Sequence, residues 1–301
     1  MNLVVALPHG HNKRALHERS TQGSMQADPM FSAASKAIKR RAPGLHGLLK
    51  WVYRRSKLPA VKFLNGKLTL VAPELAGLSP TEPHVLRWID KLLKPGDTFF
   101  DVGAHYGWMS LAACHRVGLA GKVVAFEPVP RLVEFLQYHE KANGFDQIEI
   151  VPKAVTDSDG RAVPFYIIDG GDSFLNSLID HKTETGSTLA QCGTTVQVQT
   201  ITLDQYCAET GLHPTAVKID VEGAELSVLR GSTSLLKECQ APFIVAVHPT
   251  WLPSGQQASE IFELFRNCGY ITLASEVVQY EGAEFGDYLF VPSHLATQFK
   301  L

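Results

Sequence analysis

The 301-residue chain has no apolar run approaching the ~20 residues that a membrane span needs, so no transmembrane segment is expected. It has no CxxC pair. Its five cysteines stand apart at 114, 192, 207, 239 and 268. An odd, scattered set argues against a disulfide or zinc framework and for reduced thiols in a cytoplasmic setting. No basic residue precedes the short apolar stretch in MNLVVALPHG, so a secretory leader is not expected there. No internal repeat occurs. Charge is sparse, at 19% of residues, and the net value of −2 gives no reason to expect a nucleic-acid partner.

What is present is a hydrophobic content of 45%, enough for a globular protein with a substantial core. A homo-oligomer is compatible with that composition. The charge is uneven. KAIKRRAPGLHGLLKWVYRRSK, residues 36–57, holds eight Lys or Arg and no acid, against 20 basic and 30 acidic residues elsewhere. Such a stretch could touch a membrane, a nucleic acid or an anionic substrate, or be a solvated helix covering one edge. Residues 1–30 are polar and aperiodic, and disorder is expected. Residues 31–96 read as a helical and hairpin extension. A helical pattern over 32–56 breaks near Pro43-Gly44, and Asn65-Gly66 between apolar runs predicts a hairpin. Pro83 opens a helix through Leu93, with Thr81 as its cap and Pro95-Gly96 as its end.

Over residues 97–301, strand and helix patterns alternate. FFDVG, KVVAFEP, IEIVPKAV, TAVKID and APFIVAVHP read as strands. WMSLAACHRVG, RLVEFLQYHEKANG, LDQYCAETG, AELSVLRGSTSLLKE and SEIFELFRNCG read as helices. VQVQTITL alternates as a strand after an irregular polar stretch from Thr156 to Thr195. Repeated βα units predict a mostly parallel sheet with helices on both faces. ITLASEV and DYLFVPS close the chain as an antiparallel pair.

Ligands of such sheets sit outside the carboxyl ends of the strands. There the chain places Asp101, Gly103, His105 and Gly107, then Glu127-Pro128, Ala154–Asp157, Asp220 with Glu222, and His248-Pro249. Gly103 and Gly107 allow close backbone approach. Their spacing is GxxxG, with His105 where a GxGxxG fingerprint has its second glycine. That substitution argues against a pyrophosphate, and so against a nicotinamide oxidoreductase built on this sheet. Asp101 could take a cationic amino group or an ordered water. Glu127, some twenty residues beyond the turn, can accept both hydroxyls of a ribose, or can be an exposed cap of the next helix. A nucleoside without a pyrophosphate fits, and S-adenosylmethionine is such a ligand.

DVGAHYG, GKVVAFEP, VQTITLD and KIDVEGAELSVLRG, in this order and spread over roughly residues 95–250, resemble the FkbM-type methyltransferases. The resemblance implies a class I methyltransferase (Rossmann-like) fold, a seven-stranded mostly parallel sheet whose last strands form an antiparallel pair. It implies S-adenosylmethionine as methyl donor and O-methylation of a hydroxyl on a sugar or other small molecule. Carried over, Asp101, Gly103 and Gly107 form the donor turn and Glu127 holds the ribose. Two positions depart from the pattern: His105 replaces the Asn of DVGANxG, and His248 stands where a strand-end acid is common.

Methyl transfer from a sulfonium is an in-line displacement that needs the nucleophile at ~3 Å from the methyl carbon. A hydroxyl must also lose its proton, and a placed base contributes on the order of 10²–10⁴-fold. Asp220, Glu222 and His248 end adjacent strands and should converge beside the donor. His248 has the proton affinity suited to a base near neutrality. A carboxylate could orient it, or the three could hold a divalent metal, which spacing alone does not support. Structural alternatives exist for each: Asp220 fixing its turn or touching the donor, Glu222 facing a helix dipole, Lys218 neutralising either acid, His248 ending a strand. His105 and Tyr106 could close over a methionine tail or simply pack. The insert DGGDSFLNSLID, residues 169–180, suits a lid, in which Ser173, Asn176 and Ser177 bond a ligand or form turns. A non-catalytic binding module of the same fold is the remaining rival.

Overall fold

Asn65 and Gly66 both adopt positive φ, 47° and 77°, the geometry a two-residue hairpin turn requires. They join β1 (Ala60–Leu64) to β2 (Lys67–Val71), with Leu64 opposite Lys67. The computed structural model describes residues 58–80, 82–168, 175–182, 186–280 and 283–299. The expectations for residues 1–30, the helix over 32–56, the basic stretch 36–57, Thr81 and Ser173 lie outside the described residues.

The main sheet has seven strands: β3 (Thr98–Val102), β4 (Lys122–Phe126), β5 (Ile148–Val151), β9 (Ala216–Ile219), β10 (Phe243–Val247), β11 (Tyr270–Tyr280) and β12 (Ala283–Pro292). Their order is β11-β12-β10-β9-β3-β4-β5. The five from β10 to β5 run parallel, while β12 is antiparallel to both β10 and β11. A strand covered on both faces is buried along its length, and FFDV in β3 is buried at all four positions, Asp101 included. Phe99 packs on one side of the sheet with the hairpin, α1 (Pro83–Leu92), α2 (Trp108–Val117) and α3 (Pro130–Asn143). Phe100 packs on the other side with α5 (Leu203–Thr210), α6 (Glu225–Arg230) and α7 (Ala258–Asn267). In α1, Val85, Leu86, Trp88, Ile89 and Leu92 are buried, the i, i+3, i+4, i+7 stripe of an amphipathic helix. Among the described residues, no helix is long and apolar enough to cross a membrane.

Two elements differ from the sequence reading. IEIVPKAV is not one strand. β5 ends at Val151, and Ala154–Val155 (β6) pairs instead with β8 (Thr194–Ile201), which follows the short α4 (Leu189–Cys192) and also pairs with β7 (Ala162–Ile167) in a separate three-stranded sheet. Pro152 has no N–H to continue the ladder. AELSVLRGSTSLLKE is not one helix. α6 stops at Arg230, and a short π-helix runs over Leu235–Cys239. The break falls at Gly231, where no side chain fits because a Cβ would lie 2.1 Å from the Thr156 carbonyl oxygen. Asp204 then accepts from the Ser234 and Leu235 N–H groups at 2.9 Å each, and starts the second segment.

The hairpin docks onto α3 through side chains that act as sheet partners. Asn143 accepts from Leu70 N–H and donates to Leu70 O, both at 2.7 Å. His139 is fully buried, and its Nε2 accepts from Ala72 N–H at 3.0 Å. Burial pushes its pKa down to about 4, against an ordinary 6.5. Between these values the unfolded chain binds a proton that the folded protein refuses. Stability is therefore lost as pH falls through this window, by up to about 3 kcal/mol. Denaturant midpoints measured across it should fall with pH, and fall less in His139→Gln. Equal acid sensitivity in the variant would exclude His139 as the cause.

Candidate active site

β3 lies between β4 and β9, so the chain winds away from it in both directions. A crevice opens at the carboxyl ends of these strands, as this topology requires. The cavity is about 650 Å³ and is lined by Gly103, His105, Glu127, Asp220, Glu222 and His248, among others. Six residues singled out from the sequence therefore meet in one place. Ala154 and Val155 also line it, despite the different strand boundary. Asp101 and Gly107 do not border the cavity. Asp101 is fully buried beneath it, accepts from Ser110 Oγ at 2.6 Å and lies 3.8 Å from Lys218 Nζ. Gly107, at φ 81°, begins α2, and a Cβ there would meet Leu136 at 2.5 Å.

Gly103 serves packing and cavity together. At φ 78° it presses on the neighbouring turn, where an added Cβ would lie 1.9 Å from the Asp220 carbonyl oxygen. Gly103→Ala is expected to cost roughly 3 kcal/mol or more, because both the backbone angle and the contact oppose it. Chemical denaturation checks this; a loss near zero would show that the two turns are not locked together.

Glu127 is buried, not an exposed cap. Its Oε2 accepts from His105 N–H at 2.8 Å and its Oε1 from Val129 N–H at 2.9 Å. Burial raises its pKa to about 7, with those two N–H groups opposing. His105, itself at φ 51°, thus turns its peptide N–H to Glu127. Its ring meets Tyr106 edge-on at 4.0 Å.

Across the cavity stands a charged cluster. Lys218 Nζ donates to Asp220 Oδ2 at 3.1 Å. Burial alone would lower the Lys218 pKa, but Asp220 and Asp101 outweigh it and hold the ammonium charged. Burial likewise opposes ionisation of Asp220, yet Lys218 and His248 bring its pKa below the usual value. Glu222 lies next in a left-handed conformation, φ 54°, uncommon for a residue with a Cβ. Its burial raises its pKa well above the usual carboxylate range, with His248 opposing. His248 Nε2 is 3.4 Å from Glu222 and 4.0 Å from Asp220. Burial would depress its pKa, but Glu222, Glu225 and Asp220 raise it to about 10. Asp220, Glu222 and His248 can each offer one ligand atom, all within 4.8 Å of one another, so the set could also hold a metal ion.

Sequence reasoning missed three participants. Glu225, fully buried, accepts from His248 Nδ1 at 2.7 Å. Trp251 stacks on His248 with ring centroids 4.9 Å apart and 6° between planes. His181, from the polar insert, stacks on Trp251 at 4.6 Å. Glu225 stood in KIDVEGAE, but nothing local to that motif connects it to a histidine 23 residues on. In the insert, Ser177 Oγ donates to the Glu222 carbonyl at 2.7 Å, so it anchors the loop to the site. Asn176 borders the cavity, and its Oδ1 accepts from Ile168 N–H at 2.8 Å.

Sheet order and a crevice at the switch point define a Rossmann-like α/β protein. A model of the methyltransferase FkbM domain matches residues 101–272, more than half of the chain. The chain belongs to the FkbM methyltransferase family. Protein-L-isoaspartate O-methyltransferase 2 of Archaeoglobus fulgidus is 25% identical over 126 residues, covering 40% of this chain and 58% of that one. Among solved structures, Trm5b from Pyrococcus abyssi is 14% identical with a TM-score of 0.43, covering 78% of this chain and 56% of that one. Methyltransferase FkbM from Methylobacillus flagellatus KT is 14% identical with a TM-score of 0.40, covering 70% and 54%. This chain spans less than two thirds of each of these proteins.

Proposed function

We propose that the protein transfers a methyl group from S-adenosylmethionine to a hydroxyl of a small molecule or sugar. The observation that carries this reading is the placement of a buried carboxylate, Glu127, opposite an acid–imidazole cluster, Asp220, Glu222 and His248, across one cavity. An acid-rich wall suits a ligand of net positive charge. The His105 N–H, bonded to Glu127, is turned away from a pyrophosphate, which disfavours the nicotinamide alternative.

When bound, S-adenosylmethionine supplies an electrophilic methyl group on a sulfonium. Glu127 accepts hydrogen bonds from the ribose hydroxyls with the lone pairs its two backbone donors leave over. Asp220 and Glu222 face positive charge. The donor would supply its methyl carbon to an acceptor hydroxyl, and His248 Nε2, which lines the same cavity, would take the proton that this hydroxyl gives up. At rest, three carboxylates hold His248 protonated, so that proton must first be released. Positive charge facing Asp220 and Glu222 weakens their grip on the imidazolium, which favours that release.

Methyl-labelled donor offered with the protein to a cell extract tests the reading. A labelled ether or sugar methyl product supports it. Label only on protein or RNA would assign a different acceptor, and no label anywhere would favour a binding module. Repeating the assay in chelator separates proton removal by His248 from a metal-assisted route: the His248 route predicts an unchanged rate.

A further inference from the structure

Glu225 does not border the cavity, yet it is fully buried at the start of α6. A carboxylate so placed costs stability unless its bonds compensate. Its Oε1 accepts twice, from Gly223 N–H at 2.9 Å and from His248 Nδ1 at 2.7 Å. Its Oε2 meets no hydrogen-bond donor among the described residues. The histidine that it bonds also meets two aromatic rings. Trp251 lies parallel to it, and Phe285 meets it edge-on at 5.9 Å. These fix the plane of the ring but not which nitrogen faces the cavity.

We propose that Glu225 is the positioning residue of this site: by holding Nδ1–H of His248, it leaves Nε2 as the nitrogen presented to the cavity, next to Glu222 and Asp220. A neutral imidazole carries one N–H, and the nitrogen bonded to an acceptor keeps it. The other nitrogen then offers its lone pair to a substrate proton. Carboxylate–imidazole–substrate is the arrangement by which hydrolases fix the tautomer and orientation of their base. The inference rests on the reading of His248 as base. The charged and titratable groups around the ring are Asp220 and Glu222 after β9, Glu225 on α6, Lys218 within β9, and His181 in the insert. Only Glu225 touches Nδ1 among the bonds described.

Glu225→Gln tests it, since glutamine keeps the shape and an acceptor oxygen but not the charge. Histidine-labelled protein is titrated by NMR without ligand. In the native protein, His248 should stay doubly protonated well above neutrality and, on losing its proton, retain the one on Nδ1. In Glu225→Gln its titration midpoint should fall by at least about one pH unit, the shift expected when a contacting charge is removed. An unchanged midpoint in the variant, or a native tautomer with the proton on Nε2, overturns the proposal. The native measurement decides even if the variant does not fold. On the labelled product, at a pH above both midpoints where His248 is neutral in native protein and variant alike, Glu225→Gln should transfer methyl about 10–100-fold more slowly with donor affinity unchanged. A native rate overturns the positioning role. Failure of native protein to bind the donor instead counts against the methyltransferase reading and leaves the His248–Glu225 geometry to NMR.

Discussion

Glu127→Ala is expected to weaken S-adenosylmethionine binding by about 100-fold or more, as measured by calorimetry. A hydrogen bond to a charged acceptor contributes about 1.5–3 kcal/mol, and a ribose offers two hydroxyls to one carboxylate. The variant also leaves His105 N–H and Val129 N–H without their acceptor, so the turn that lines the cavity loosens with it. Glu127→Gln keeps one acceptor oxygen and should lie between. Affinity should also depend on pH. The ligand-free Glu127 titrates near 7, raised by burial, and ribose hydroxyls favour the ionised form. Binding therefore tightens as pH rises through about 7, at most tenfold per unit, and levels off above it. A donor affinity untouched by Glu127→Ala removes the ribose assignment.

His248→Ala is expected to slow methyl transfer by about 10²–10⁴-fold, the usual contribution of a placed base, with donor affinity within a few-fold of native. The split matters. His248 has only 13% of its side chain exposed and is surrounded by Asp220, Glu222 and Glu225, so its removal takes the counter-charge from three acids at once. Some loss of stability is therefore expected as well. Single-turnover rates on folded protein distinguish the two effects. A native rate would exclude His248 from proton removal and turn attention to Glu222, whose pKa is also raised.

Much of the fold was legible because it depends on local pattern. FFDV reads as a doubly buried strand, Asn65-Gly66 as a hairpin turn, and Glu127, Asp220 and Glu222 at strand ends as cavity residues, since one rule of sheet topology gathers them, though Asp101 lies buried outside the cavity lining. What escaped depends on contacts between distant segments. The glycine at the helix break, Gly231, is required because the Thr156 carbonyl oxygen passes 2.1 Å from where a Cβ would be. The end of β5 was marked by Pro152, but the apolar pattern running on through Ala154-Val155 masked it. Glu127 could be read as exposed or buried, and only the folded turn shows both of its oxygens taken by backbone N–H groups. The greatest gap concerns His248. Sequence assigns it an ordinary imidazole, whereas three carboxylates from one loop and one helix raise it to about 10. Two of those acids were visible at the strand end. The third, Glu225, reaches it only through the fold.

The most direct test is a crystal structure of the protein soaked with S-adenosylhomocysteine, the demethylated donor. Density is expected at the switch-point crevice, with both ribose hydroxyls on Glu127 and the sulfur facing Asp220, Glu222 and His248. An empty crevice at saturating ligand, or a nucleoside bound with its ribose away from Glu127, would contradict it.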